Sequence, residues 1–121
     1  MEILVKDGTI MAKKKIPFKK EFNQLMLDGK KTMTSRTKKY GDRGDIFFVE
    51  DQIFTILLSF KIRVGDVANK YFKEEGFTSP EEFIKVWKEI HPRKGYDPDQ
   101  MVWGHHFIKG LVQVGQRTLG G

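Results

Sequence analysis

The sequence predicts an α+β domain in which a small β-barrel is decorated with about three helices. Two observations lead there. Segments with helical spacing of apolar residues alternate with short β-branched and aromatic runs, in the order helix, two or three strands, two helices, one or two strands. The chain has 121 residues, which suits a single domain, 1–121, built around one core.

Each element has its own signal. Pro17 biases Ile16 away from helix, so residues 13–18 read as an extended entry segment. Over 19–28, Phe22, Leu25 and Met26 recur at helical spacing, with Phe18 one turn earlier, and Gly29 supplies a left-handed stop. Residues 32–37 are predicted extended. The turn cluster 41–45 feeds a strand at 46–49, Asp51-Gln52 is placed to close a hairpin, and the apolar run 53–64 reads as a buried strand. Gly65-Asp66 opens a second helix, about 67–75, which Gly76 ends. Ser79-Pro80-Glu81-Glu82 is a capping box with proline at the first helical position, and the third helix runs to Ile90 with Phe83, Val86, Trp87 and Ile90 on one face. His91-Pro92 stops it. After a loop at 93–99, residues 100–108 read as a strand, and 111–114 as a last short one.

Composition narrows the function classes. There is no cysteine, which excludes disulfides, cysteine-based zinc sites and thiol nucleophiles. The first apolar run is too short for a signal peptide and nothing reaches transmembrane length, so a cytosolic (cytoplasmic) protein with no membrane partner is expected, acting as a monomer. Net charge is +6 and unevenly placed: residues 1–45 hold twelve Lys/Arg against six Asp/Glu, and the remainder ten of each. Such a basic segment suits polyanionic partners such as RNA phosphates, or else a solvated lysine surface.

The densest chemistry lies in Gly29–Arg36, where cationic and hydroxyl side chains crowd together just past a helix end. Lys31 either caps the last helical carbonyls or, with a depressed pKa, accepts a proton. Thr34 is a strand filler unless a base lies within hydrogen-bond reach. On a regular strand Lys31 would point away from Thr34, so the two cooperate only if the chain bends after Gly29. Arg36 is a planar clamp for phosphate or carboxylate, or a surface ion-pair partner of Asp42 or Asp45. Lys30, Lys38 and Lys39 add phosphate-binding charge. Glu75 at a helix end positions an amine or relays a proton, and spacing alone does not separate it from Glu74.

These segments, taken in order, resemble the ASCH (activating signal cointegrator homology) domain family, whose fold is a PUA-like β-barrel. The resemblance rests on Leu27-Asp28-Gly29-Lys30-Lys31-Thr32, the following Thr34-x-Arg36, Gly44-Asp45 and Gly65-Asp66. It continues through Glu74-Glu75-Gly76-Phe77, Phe83…Trp87…His91-Pro92 and Val102-Trp103-Gly104-His105-His106-Phe107. It covers about 16–108, leaving extra segments at both ends. The resemblance implies an RNA-binding module. One small branch of the family hydrolyses N4-acetylcytidine and related nucleosides, and its lysine, threonine and glutamate match Lys31, Thr34 and Glu75.

Three readings result. The first is an RNA- or nucleotide-binding domain whose basic cleft is lined by Lys30, Arg36, Lys38 and Lys39, with Trp103 or Tyr40 as a base-stacking ring. The second is an amidohydrolase needing neither metal nor cofactor, in which Thr34 attacks or holds water, Lys31 is the base and Glu75 relays a proton to the leaving amine. The third is a regulatory protein-interaction domain. No metal site is expected, because the adjacent His105 and His106 point to opposite faces of a strand and His91 lies elsewhere.

Overall fold

The computed structural model describes residues 2–6 and 9–113, with side chains from Met11 onward. Three helices, α1 (Lys20–Leu27), α2 (Val64–Lys70) and α3 (Pro80–Ile90), pack around one sheet of six strands. The strands are β1 (Glu2–Lys6), β2 (Thr9–Lys13), β3 (Met33–Arg36), β4 (Ile46–Val49), β5 (Gln52–Arg63) and β6 (Met101–Lys109), in the order β1-β2-β4-β5-β6-β3. The α+β class and the three helices are as the sequence predicts. The β1–β2 hairpin is an addition to the expected elements, although the sequence places Asp7-Gly8, a two-residue hairpin signal, between the paired Lys6 and Thr9.

The expected barrel is not closed. All ladders are antiparallel except that of β2 with β4, which meet in parallel only at Lys13 and Ile46. At the far side β3 pairs only with β6 among the described residues. The start of its outer edge is met by the segment between α2 and α3: the Thr32 and Met33 amides both donate to the Glu74 carbonyl, at 2.7 and 3.0 Å.

Sequence signals account for most element ends. Gly29, with φ +75°, closes α1 by bringing the amides of Gly29 and Lys30 back to the Met26 and Leu25 carbonyls. Ser79 Oγ accepts from the Glu82 amide at 3.1 Å, as a capping residue should, whereas Glu82 Oε1 reaches back to the Thr78 amide rather than to Ser79. The β4–β5 hairpin turns through Glu50 and Asp51, both at positive φ, one residue earlier than Asp51-Gln52.

Two expectations shift more. The second helix begins at Val64 and ends at Lys70, so Gly65 lies within it. A Cβ there would meet Pro98 at 2.9 Å, which gives a packing reason for that glycine. Of the run 53–64, only Phe54–Ile56 and Val64 are fully buried, because the second half of β5 turns one face outward while Phe60 and Ile62 pack only partly buried on the other. Residues 111–113 form no strand, and 114 lies outside the described residues.

Strand alternation divides the apolar residues between the two sheet faces. On one face Ile16, Met26, Phe47, Val49, Phe54, Ile56 and Phe107 form a dry cluster. On the other, Met33, Phe60, Ile62 and Val102 pack against α2 and α3 through Val64, Val67, Ala68, Phe83 and Trp87. Each face supplies one wall of the site described next.

Candidate functional site

Beyond the outer edge of β3, where α1 and α3 approach each other, lies a cavity of about 260 Å³. That is just under the usual range for ligand pockets, roughly 300–1,000 Å³, and suits a small planar molecule. Phe18, Phe22, Tyr40, Phe77, Phe83 and Trp87 supply aromatic walls. Lys31, Thr34, Ser35, Arg36 and Glu75 supply the polar groups.

The bend after Gly29 brings Lys31 to Glu75. Lys31 is 3% exposed, and its Nζ donates to the Met33 carbonyl at 2.9 Å, the Glu75 carbonyl at 2.8 Å and Glu75 Oε1 at 3.2 Å. Gly76 makes this approach possible. Its φ is +98°, and a Cβ there would crowd Leu25 and Lys31 at 3.3 Å. Burial pushes the Lys31 pKa down, Glu75 opposes that shift, and Arg36 adds to it. Three acceptors nonetheless engage three hydrogens, the arrangement of an ammonium rather than an amine. An ammonium so placed would steady the Glu75 carboxylate, whereas the base expected of Lys31 requires the neutral amine that burial favours.

The two carboxylates that spacing leaves equivalent are separated by burial. Glu75 is 4% exposed and lines the cavity, whereas Glu74 is half-buried and contributes its backbone carbonyl to the β3 edge. The second carboxylate oxygen of Glu75 accepts from Ser35 Oγ at 2.7 Å. Ser35 is missing from the sequence reading. The available signal was alternation: residues 33 and 35 share the face of β3 that turns toward α2 and α3, opposite to 34 and 36.

Thr34 lies on that opposite face, and its Oγ1 accepts from Arg36 Nε at 2.9 Å instead of meeting Lys31. Arg36 also donates to the Pro17 carbonyl, and its guanidinium stacks near the rings of Phe18 and Tyr40, 4.8 and 5.3 Å from their centroids. It is therefore held inside the cavity wall, and its ion-pair alternatives are not taken. Burial lowers the Arg36 pKa, but a guanidinium stays charged in proteins.

The remaining basic candidates lie outside the cavity lining. Lys30, Lys38 and Lys39 are exposed. Lys38 sits over the Tyr40 ring, while Lys39 pairs with Asp42 and lies over Trp103. Trp103 is not in the lining: Lys39 and Lys61 both lie about 5 Å from its centroid. Of the two rings considered for stacking, Tyr40 borders the cavity and Trp103 does not. His105 is fully buried. Its Nε2 accepts from the Tyr40 amide at 3.0 Å, which leaves the proton on Nδ1, facing the Thr34 carbonyl at 3.2 Å. His106 is on the other face, stacked on Phe60. Among the described residues no group of three or more His, Cys, Asp or Glu is placed to hold a metal ion, and no helix is long and apolar enough to cross a membrane.

No family model and no curated protein matches the sequence. Solved structures do match the fold. An ASCH domain from Lactobacillus crispatus JV V101 superposes with a TM-score of 0.60 at 14% identity, over 82% of this chain and 79% of that one. A Zymomonas mobilis ASCH protein, solved as its Y47F mutant, gives 0.55 at 14%, over 79% and 68%. The protein EF3133 from Enterococcus faecalis V583 gives 0.55 at 18%, over 80% and 74%. The chain thus has an ASCH-like fold.

Proposed function

We propose that the cavity beside β3 binds a planar nitrogen heterocycle of the nucleobase kind, as a free nucleoside or as an unpaired base of RNA, and that the chain acts in RNA or nucleoside metabolism. The observation that carries this reading is an aromatic-walled cavity whose polar end holds a fixed guanidinium, a hydroxyl and a carboxylate side by side. Flat apolar walls accept the faces of a base, and Arg36, Thr34 and Glu75 offer donors and an acceptor to its edge. The fold supports the reading by its likeness to ASCH domains. Exposed Lys30, Lys38 and Lys39 would attract flanking phosphates from outside the cavity rather than hold the base.

Titration calorimetry with cytidine, uridine and adenosine, and with short single-stranded RNA at two salt concentrations, tests it. RNA affinity should fall with salt at a log–log slope near −0.7 per contacted phosphate, while nucleoside affinity should be nearly salt-independent. No binding of any of these at low ionic strength removes the proposal.

A second reading is favoured by the buried Lys31–Glu75 pair. Hydrolysis of an acylated exocyclic amine, as in N4-acetylcytidine, would use a positive charge and a carboxylate at the floor of such a cavity, with Lys31, Thr34 and Glu75 as the matched residues. Release of cytidine from N4-acetylcytidine by the purified chain, followed by liquid chromatography, checks it directly.

A further inference from the structure

We infer that Ser35 is the nucleophile of an acyl-transfer reaction in this cavity, with Glu75 as its base, a role that rests on the amidohydrolase reading above. The hallmark of an activated hydroxyl is a base within about 2.6–3.2 Å. Ser35 Oγ meets that standard, donating to Glu75 Oε2 at 2.7 Å in a site that is almost wholly buried yet opens into the cavity. Thr34 does not. It projects from the opposite face of β3, and the partner of its oxygen is a donor, Arg36 Nε, not a base. Lys31 engages its three hydrogens in three bonds, so it steadies the carboxylate and adds positive charge without taking a proton.

The step balances with water as the only co-reactant. Ser35 Oγ bonds to the acyl carbon as its proton passes to Glu75 Oε2, and the oxyanion forms in the field of Arg36 and Lys31. Collapse breaks the bond from the acyl carbon to the exocyclic nitrogen, which takes the proton from Glu75 and leaves as the free amine. Water then attacks the Ser35 ester, giving its proton to Glu75. The carboxylic acid departs and the Ser35 hydroxyl is restored.

The test measures N4-acetylcytidine hydrolysis by the full chain and its variants, with thermal melts recorded for each. Ser35→Ala should lower kcat by at least about 100-fold, the usual scale for losing an activated group, with KM changed by only a few fold. Ser35→Cys should accumulate a thioester, seen as one acetyl group on the peptide carrying residue 35, and Thr34→Ala should still form the acyl adduct at Ser35. If the wild type hydrolyses the substrate but Ser35→Ala keeps kcat within a few fold, or the acetyl group maps to Thr34, Ser35 is not the nucleophile and the amidohydrolase reading survives without it. If the folded wild type leaves N4-acetylcytidine intact, that reading and this role fall together, while nucleobase binding is judged by the titrations.

Discussion

The dry cluster around Phe47 and the cavity around Glu75 are built from similar material and end differently. In the first, Phe47, Phe54 and Phe107 approach one another at 5.3–5.8 Å between centroids and fill the space between α1 and the sheet. In the second, Phe22, Phe77 and Phe83 stand 5.7–6.0 Å apart along one wall, but a lysine, a glutamate and a serine occupy the floor. A buried ion pair is seldom more stabilising than apolar residues of the same volume. One region is shaped by packing. The other keeps groups that packing alone would not select, which is the mark of a site.

Four substitutions test that contrast. Phe47→Ala should lower stability by about 3–5 kcal/mol in urea unfolding, with ligand affinity unchanged at concentrations where the protein remains folded. Lys31→Ala should cost about 3 kcal/mol, because it leaves Glu75 charged and unpaired in the interior. Abolished binding in that variant is therefore uninformative by itself. The double variant Lys31→Met with Glu75→Leu supplies the control. It should recover most of the lost stability while ligand binding stays absent. Recovery of both would show that the pair is structural only.

The third effect is smaller and depends on pH. Burial, reinforced by the charges of Arg36 and Lys39 and opposed by the Thr34 carbonyl, holds the His105 pKa below its ordinary 6.5. Burial also lowers that of His106, against the pull of Glu74 and Glu75. The unfolded chain then binds more protons than the native one just below pH 6.5, so stability rises with pH in that window and is lost as pH falls through it. His105→Leu should flatten this slope and lower stability at pH 7.5 by about 1–2 kcal/mol, since the Tyr40 amide loses its acceptor. An unchanged slope would place the protons elsewhere. The smallest effect is Ser79→Ala, about 1 kcal/mol from loss of the α3 cap, readable as a shift in the urea midpoint.

Local signals made α1, α3 and β4 legible, because each is specified by residues within a few positions: Gly29 for the stop of α1, Ser79 and Pro80 for the start of α3. The open sheet edge was not, since it depends on which distant backbone groups find each other; the β1–β2 hairpin is local, and its signal is the Asp7-Gly8 pair between Lys6 and Thr9. The site divides in the same way. Residue type and family likeness pick out Lys31, Thr34, Arg36 and Glu75, all of which line the cavity. Their bonding was hidden. The pairing of Thr34 with Arg36 and of Ser35 with Glu75 follows from the side of β3 each occupies, and Trp103, the cross-strand neighbour of Arg36, lies beside Lys39 and Lys61 outside the cavity lining.

The bonds from Lys31 to Glu75 join residues 44 positions apart in the chain. The loop they close contains β3, β4, β5 and α2, so the floor of the cavity does not exist until those elements have docked. Closing so long a loop is entropically unfavourable and must be compensated by contacts made at the same time. Site assembly is thus a report on complete folding, and any molecule that binds across this closure draws the equilibrium toward the native state in proportion to its occupancy. Thermal-shift screening against nucleosides would then register true ligands of the cavity as a rise in melting temperature. Partly folded chains, lacking the floor, would bind none of them.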